Sequence, residues 1–235
     1  MTKRLDLGKE AILPLILKMS WPSIISMTAM SLYNFIDTFW LARFSSQALA
    51  ALTVCFPLQL IAAAIGVGTG IGAGSFSARM LGAGKNLQAK QAAGQTFSLS
   101  MFLGFISIIF VFMFGEEMLI FFGASGDIMP LCRDYLYISV FSSPFLFFSM
   151  TTAIMLRVEG RPLLSMYAVV IALVSSAILD PFLIFGLGPF PRMGIKGAAL
   201  AAIIAHCMMF IFSLIFLQMK SSKYEFQWKY TVPHL

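Results

Sequence analysis

Residues Gln91–Gly115 read QAAGQTFSLSMFLGFISIIFVFMFG and contain no Asp, Glu, Lys or Arg. A helix that spans a bilayer needs about 20 mostly apolar residues, and this stretch meets that requirement. Its inner part, Ile106–Phe114, is apolar on every side. A strand of a transmembrane β-barrel would instead alternate apolar and polar residues over about ten positions. The stretch therefore predicts a transmembrane helix.

Five further stretches lack these four charged residue types, and each is long enough or nearly long enough to cross a bilayer. They are Met19–Ile36, Phe44–Ala78, Tyr135–Leu156, Pro162–Leu179 and Gly197–Met219. We predict an all-α, polytopic membrane protein built as a bundle of six transmembrane helices. The approximate spans are Ala11–Trp40, Gln47–Leu81, Ala92–Phe114, Met129–Leu156, Pro162–Gly186 and Ile195–Met219.

The distribution of basic residues predicts the orientation of this bundle. The topology places twelve Lys and Arg residues on one face of the membrane and four on the other, namely Arg43, Arg133, Arg192 and Lys196. Because the face richer in Lys and Arg is cytoplasmic, both termini are predicted to be cytoplasmic. We expect a multi-pass protein of the plasma membrane, of the bacterial inner-membrane type. The basic residues form no stripe, so the expected partner is the lipid bilayer and not nucleic acid.

Two aspartates, Asp37 and Asp180, lie inside or at the ends of the apolar stretches. A carboxylate at membrane depth costs about 2.5–3.5 kcal/mol on insertion scales, and such groups usually mark ion or proton pathways. The topology places both in the outer half of their spans, the first and the fifth. Two carboxylates at similar depth could share one cavity, where they would bind a proton or a small cation such as Na⁺ in exchange for one another.

The residues around Asp37 extend this candidate site. Tyr33 and Asn34 lie four and three positions before it, on the same helical face. An alternative interpretation is that Asp37 only caps a helix end or pairs with Arg43, which lies six residues further on.

The residues around Asp180 also extend the candidate site. Ser176 lies four positions before Asp180. Pro181 has no backbone N–H, so the carbonyl of Ala177 loses its helical partner and is a candidate oxygen ligand for a hard cation. The alternative of a simple cap or ion pair is weaker here, since the next basic residue along the chain is Arg192.

Five glycines alternate along the second span. On a helix, Gly66, Gly70 and Gly74 would form one groove for close helix approach, and Gly68 and Gly72 a second one. The alternative is a flexible element that bends during transport. The run lacks the residues of a phosphate-binding loop.

No constellation of an enzyme is present in the sequence. Cys55, Cys132 and Cys207 are scattered, and neither histidine has the spacing of a metal ligand. We interpret His206, in the sixth span, as a packed neutral histidine, with a proton relay as the alternative. The chain is predicted not to be an enzyme and to need no cofactor.

Five motifs occur in a consistent order along the chain. They are LYNFIDT at Leu32–Thr38, ARMLGAG at Ala78–Gly84, LRVEGRP at Leu156–Pro162, LDPFLIFG at Leu179–Gly186 and MGIKGAALA at Met193–Ala201. In sequence and spacing they resemble the multidrug and toxic compound extrusion (MATE) transporters. The similarity covers about residues 8–220.

This resemblance implies an exporter of amphipathic, often cationic drugs or toxic compounds by antiport, driven by entry of protons or sodium. Family members have two six-helix lobes, and residues 1–220 resemble the amino-terminal lobe, with 221–235 as the start of the cytoplasmic inter-lobe linker or a tail. The family's cation site corresponds to Asp37 and Asp180. The family often has asparagine where this chain has Ser176, and threonine where it has Ala202. Both departures favour protons.

A second lobe is required for alternating access, in which one lobe rocks against another. The partner would be the rest of a longer chain or a dimer partner. Two other functions stay open. One is a lipid-linked oligosaccharide flippase of the same superfamily, whose cavity should contain Arg and Lys; the other is a channel or a non-transporting membrane subunit.

Overall fold

The computed structural model describes residues 11–218. The predicted cytoplasmic lead, residues 1–10, and the predicted linker or tail, 221–235, lie outside the described residues. Within residues 11–218, seven α-helices follow one another: α1 (Ile12–Phe44), α2 (Ser46–Gly82), α3 (Asn86–Phe121), α4 (Met129–Ser139), α5 (Ser143–Val158), α6 (Pro162–Phe185) and α7 (Ile195–Gln218). They form six segments that are long and apolar enough to cross a membrane, which confirms the predicted all-α bundle.

The sequence predicts a single helix for the fourth span, but the structure shows a divided one. It begins with a 3₁₀ turn at Gly126–Ile128 and is divided by a second one at Val140–Ser142, between α4 and α5. Pro144, at the start of α5, explains the division. It cannot donate a hydrogen bond to the carbonyl of Val140, so the backbone tightens there.

Helix α3 extends beyond both ends of the predicted span, Ala92–Phe114. Its last turns include Glu116 and Glu117, which lie beyond the predicted end of the span at Phe114. A helix does not have to end where its apolar segment ends, since its backbone hydrogen bonds are formed within the chain both inside and outside the membrane.

The fourth span lies at the centre of the bundle. It is largely buried, whereas the other spans leave most of their apolar surface exposed. Helix α5 packs against α2, α3, α6 and α7, and α1 packs mainly against α6 at the edge of the bundle. The register of α1 on α6 therefore decides which polar groups of these two helices meet.

One of the two predicted glycine grooves brings α2 close to α5. A Cβ added at Gly70 would lie 3.3 Å from the Cα of Thr151, and one at Gly74 would lie 3.0 Å from the Ile154 side chain. The second predicted groove receives no helix of the part of the chain that the structure describes. Within residues 11–218, no heavy atom of another element lies within 4 Å of a Cβ added at Gly68 or Gly72, because these glycines are on the opposite, exposed face of α2.

Candidate functional site

The carboxyl groups of Asp37 and Asp180 meet at a single hydroxyl. Ser176 Oγ lies 3.0 Å from Asp37 Oδ1 and 2.9 Å from Asp180 Oδ2. Asp37 is 8% exposed, and Asp180 is completely buried. The structure thus brings together three of the residues singled out in the sequence, one from α1 and two from α6.

Small residues on the facing sides of α1 and α6 allow this approach. The buried side of α1 includes Ser26 and Ala29 before Asp37, and the buried side of α6 includes Ala172 and Ser176 before Asp180. Small side chains at helix interfaces in membranes let two backbones come close together. The spacing of four residues from Ser176 to Asp180 then puts both polar groups on the same side of α6.

The hydrogen bonds around Ser176 require more than one proton. A serine hydroxyl has one proton to donate, but Ser176 Oγ is within hydrogen-bond distance of two carboxyl groups. The other oxygen of Asp180, Oδ1, is buried and has no hydrogen-bond partner within residues 11–218. Two carboxylates in this position need a proton or a cation between them to offset their charges.

Two tyrosines lie near the acid pair, and a glutamine is hydrogen-bonded to one of them. Tyr33 of α1 lies within electrostatic range of Asp37, Asp180 and Tyr135. Tyr135 of α4 is 1% exposed, and its hydroxyl accepts a hydrogen bond of 2.7 Å from Gln59 Nε2 of α2. The site therefore receives polar side chains from four helices.

Tyr135 and Gln59 were missed in the sequence. Gln59 is a polar amide within an uncharged span, two positions after Pro57. This polar residue could have been recognised in the sequence as a candidate for the site. Tyr135 gave none, because tyrosine is common near the ends of membrane spans.

Three other residues that were singled out in the sequence are Asn34, Ala177 and His206. The Asn34 amide donates to Met30 O of its own helix at 3.1 Å, and its side chain is exposed, so the structure does not bring it to the acid pair. Pro181 lies inside α6, which continues to Phe185. The ligand role of the Ala177 carbonyl stays a prediction. The ring of His206 lies 5.9 Å from that of Tyr33, between centroids.

Neither aspartate has the position expected for a cap. Asp37 and Asp180 both lie inside their helices, which end at Phe44 and Phe185. Arg43, the alternative partner of Asp37, has its Cζ 4.6 Å from the centre of the Phe39 ring. The acid pair is thus part of a helix–helix contact and not of a helix end.

The site offers few ligands to a metal ion. Within residues 11–218 there is no group of three or more His, Cys, Asp or Glu side chains that could hold one. The available oxygens belong to two carboxyl groups, one serine hydroxyl and two phenols. This donor set fits a proton or one loosely held monovalent cation.

Comparisons with known proteins show what this chain is similar to. A family model described as MatE matches residues 22–182. The FAD transporter of Shewanella oneidensis is 34% identical over 194 residues, which are 81% of this chain and 42% of that protein. The multidrug export protein MepA of Staphylococcus haemolyticus is 25% identical over 226 residues, 96% of this chain and 49% of that protein.

The fold is also similar to that of solved structures. A crystal structure of MATE in complex with MaL6 has a TM-score of 0.90 and 26% identity, and the match covers 100% of this chain and 51% of that one. The chain spans about half the length of the relatives it matches.

Proposed function

The chain belongs to the MatE family, and from this membership we propose that it is the amino-terminal lobe of an antiporter that exports amphipathic, often cationic compounds. The family confirms a multi-pass membrane protein that is not an enzyme. The proposal is supported by MepA, a multidrug export protein that matches almost the whole chain. The second lobe would come from the same full-length chain or from a dimer partner.

The observation that carries the proposed mechanism is the contact of Ser176 with both Asp37 and Asp180. Open to the outside, the acid pair takes up a proton or a sodium ion. Its neutralisation lowers the cost of enclosing two carboxyl groups in a dry site. A ligand shifts a conformational equilibrium only if it binds one of the two states more tightly than the other. In this mechanism, the ion binds the closed site more tightly than the open one. The organic substrate is then bound from the inside.

Measurements in inverted membrane vesicles that contain the full-length protein test this function. We expect ion-gradient-driven accumulation of ethidium to fall at least tenfold when Asp37→Asn is combined with Asp180→Asn. Asp127→Asn is the matched control, because Asp127 lies in a 3₁₀ turn outside the site. Undiminished ion-coupled transport by the double variant would refute the assignment.

A second candidate substrate is FAD. The relative that transports FAD has a higher identity to this chain, 34%, than the multidrug exporter has, 25%. FAD carries two phosphates, whereas the described groups around the acid pair are acidic, phenolic or amide, so an FAD site would lie elsewhere in the cavity. Competition in the same vesicles distinguishes the candidates: FAD transport that ethidium does not inhibit favours a dedicated flavin carrier.

The flippase and the channel are less well supported. A flippase for a pyrophosphate-linked lipid needs Arg and Lys in its cavity, and the polar side chains that interact with Asp37 and Asp180 include Tyr33, Tyr135 and Ser176. A channel would conduct without the acid pair. Conductance in bilayers that persists in the Asp37→Asn variant would favour the channel.

A further inference from the structure

Four basic residues belong to the face of the lobe that is predicted to be external, namely Arg43, Arg133, Arg192 and Lys196. Two of them, Arg133 and Lys196, form ion pairs of 2.9 and 3.2 Å with carboxylates of neighbouring helices. Among residues 11–218, no Asp or Glu side chain forms an ion pair with Arg43 or Arg192. These two arginines therefore carry positive charges that the described part of the chain does not neutralise.

Both arginines lie at the carboxyl-terminal end of α1. Arg43 is in the last turn of this helix, and its Cζ is 4.6 Å from the centre of the Phe39 ring. Arg192 comes from the segment between α6 and α7, and its Cζ is 5.1 Å from the centre of the Phe44 ring. An aromatic ring attracts a guanidinium group to its negative face. Because the two rings are five positions apart on one helix, both positive charges are held around the same helix end.

The helix ends do not neutralise these charges. The last carbonyl groups of α1 carry a partial negative charge of about half an elementary charge. The first N–H groups of α2, which begins at Ser46, carry a partial positive charge of similar size. Only Ser45 separates the two helices, so these partial charges nearly cancel. The charges of Arg43 and Arg192 are thus open to an anion from outside the lobe.

A row of aromatic rings continues from Arg43 along the exposed side of α1. Phe35, Phe39 and Arg43 follow one another at intervals of four residues, which places them on one helical face about 12 Å long. The two rings are stacked with their centroids 6.3 Å apart, and the residues are 64% and 38% exposed. The row faces away from α6, because Asp37, which contacts α6, projects from the opposite side of the helix.

This combination of charge and apolar surface fits an anionic phospholipid. A phosphodiester group accepts paired hydrogen bonds from a guanidinium group, and arginine matches its geometry better than lysine does. The hydrocarbon chains of the same molecule would cover the exposed rings of Phe35 and Phe39, whereas a soluble anion would leave them uncovered. A zwitterionic lipid carries its own cation beside the phosphate, and two arginines repel that cation.

We propose that the carboxyl-terminal end of α1 binds an anionic phospholipid, with its phosphate group at Arg43 and Arg192 and an acyl chain along Phe39 and Phe35. The site shares no residue with the acid pair, so it does not depend on the proposed transport function. The bound lipid neutralises the two uncompensated charges and covers the apolar face of a helix that lies at the edge of the bundle.

Trp40 provides a local reporter for this site. Its ring lies 5.2 Å from that of Phe39, between centroids. The full-length protein is reconstituted in vesicles of dioleoylphosphatidylcholine with a rising fraction of phosphatidylglycerol that is brominated on its acyl chains, because bromine quenches nearby tryptophan fluorescence. The signal of Trp40 is the difference between the wild type and Trp40→Phe. Brominated phosphatidylcholine is the reference lipid.

We expect brominated phosphatidylglycerol to quench Trp40 at a membrane fraction at least tenfold lower than brominated phosphatidylcholine requires. Equal quenching by the two lipids would show that the headgroup is not recognised, and would overturn the proposal. Absence of quenching by either lipid would show that protein covers this face of α1, and would overturn it as well.

Substitution of the arginines tests their role. A basic residue near a membrane surface contributes about fivefold in affinity for an anionic lipid, so Arg43→Gln with Arg192→Gln should weaken the binding of phosphatidylglycerol about thirtyfold. Arg133→Gln with Lys196→Gln is the matched control. It removes the same charge from the same face, but from residues that already have acidic partners, and should leave the affinity unchanged. An equal loss in both double variants would show that only net charge acts, and would overturn the site.

Two milder variants keep the test independent of folding. Arg192→Gln alone changes an exposed side chain outside the helices and should weaken binding about fivefold. Phe39→Leu keeps the surface apolar but removes the ring beneath Arg43, and should weaken binding about twofold to fivefold. Thermal unfolding in detergent shows whether each variant is folded. Wild-type affinity in both folded variants would refute the assignment.

Soluble competitors identify the source of the phosphate group. Neither glycerophosphoglycerol, which is the headgroup without chains, nor FAD should relieve the quenching at millimolar concentration. Relief by glycerophosphoglycerol would indicate a site for a soluble phosphate, and relief by FAD alone would indicate a nucleotide site. Either result would overturn the choice of a membrane lipid.

Discussion

Asp37 Oδ1 of α1 lies 3.0 Å from Ser176 Oγ of α6, and this hydrogen bond is buried. Helix α1 is at the edge of the bundle and packs mainly against α6. The bond therefore connects an edge helix to the rest of the lobe at the position where Asp180 is buried. A change in the charge of the acid pair acts directly on the contact between the two helices.

Neutralising Asp180 should not destabilise the protein. Asp180→Asn preserves the shape of the side chain, supplies two N–H donors and removes a charge from a fully buried position. Since buried charges are costly, we expect the free energy of unfolding to stay the same or to rise by about 1 kcal/mol. Thermal unfolding in detergent measures it, with Asp127→Asn as the neutral control. A marked fall in the Tm of Asp180→Asn would show that the ionised acid stabilises the fold.

The contact between α3 and the divided fourth span depends on Gly104. A Cβ added there would overlap the backbone of Pro144, which cannot move as a flexible side chain can. We expect Gly104→Ala to destabilise the lobe by about 1–3 kcal/mol, as overpacking does in other cores. In Gly72→Ala, no atom within residues 11–218 lies near the new methyl group, so this control should be neutral or slightly stabilising. Equal Tm values for the two variants would contradict the close packing.

Removal of the Tyr135 hydroxyl leaves the Gln59 amide without its acceptor. The hydrogen bond between them is 2.7 Å long and lies in a partly buried site. Tyr135→Phe should therefore cost about 1 kcal/mol of stability, measured by thermal unfolding. Tyr167→Phe is the control, because Tyr167 is 43% exposed. The expectation fails if both variants unfold at the same temperature.

Two ion pairs connect α4 to its neighbours at the end of the lobe that is predicted to face outside. Arg133 lies 2.9 Å from Glu116 of α3, and Asp134 lies 3.2 Å from Lys196 of α7. All four side chains are about half exposed, so each pair should contribute less than about 1 kcal/mol. Glu116→Gln should lower the Tm only slightly, and the difference from the wild type should vanish at high salt. A large effect that persists at high salt would indicate a shielded pair.

The acid pair illustrates what could be predicted in advance. Asp37 and Asp180 are conspicuous because charge is scarce in the apolar stretches, and the counting of spans places them at similar depth. The bridging position of Ser176 and the contribution of Tyr135 depend on how α1, α4 and α6 are rotated against one another. The spacing of Asn34 and Asp37 predicts that they share a helical face, but the Asn34 amide donates its hydrogen bond to the carbonyl of Met30.

The number of membrane-spanning segments and their approximate positions followed from the sequence alone, because a bilayer accepts only backbones that satisfy their own hydrogen bonds, and apolar segments of this length do so as helices. The packing of those helices was decided by the tertiary structure. Side chains that face lipid and side chains that face another helix are equally apolar, so the sequence contains no periodic signal for the buried side of each span. For the same reason Gly70 and Gly72 look alike in the sequence, and only the packed bundle shows that one contacts α5 and the other does not.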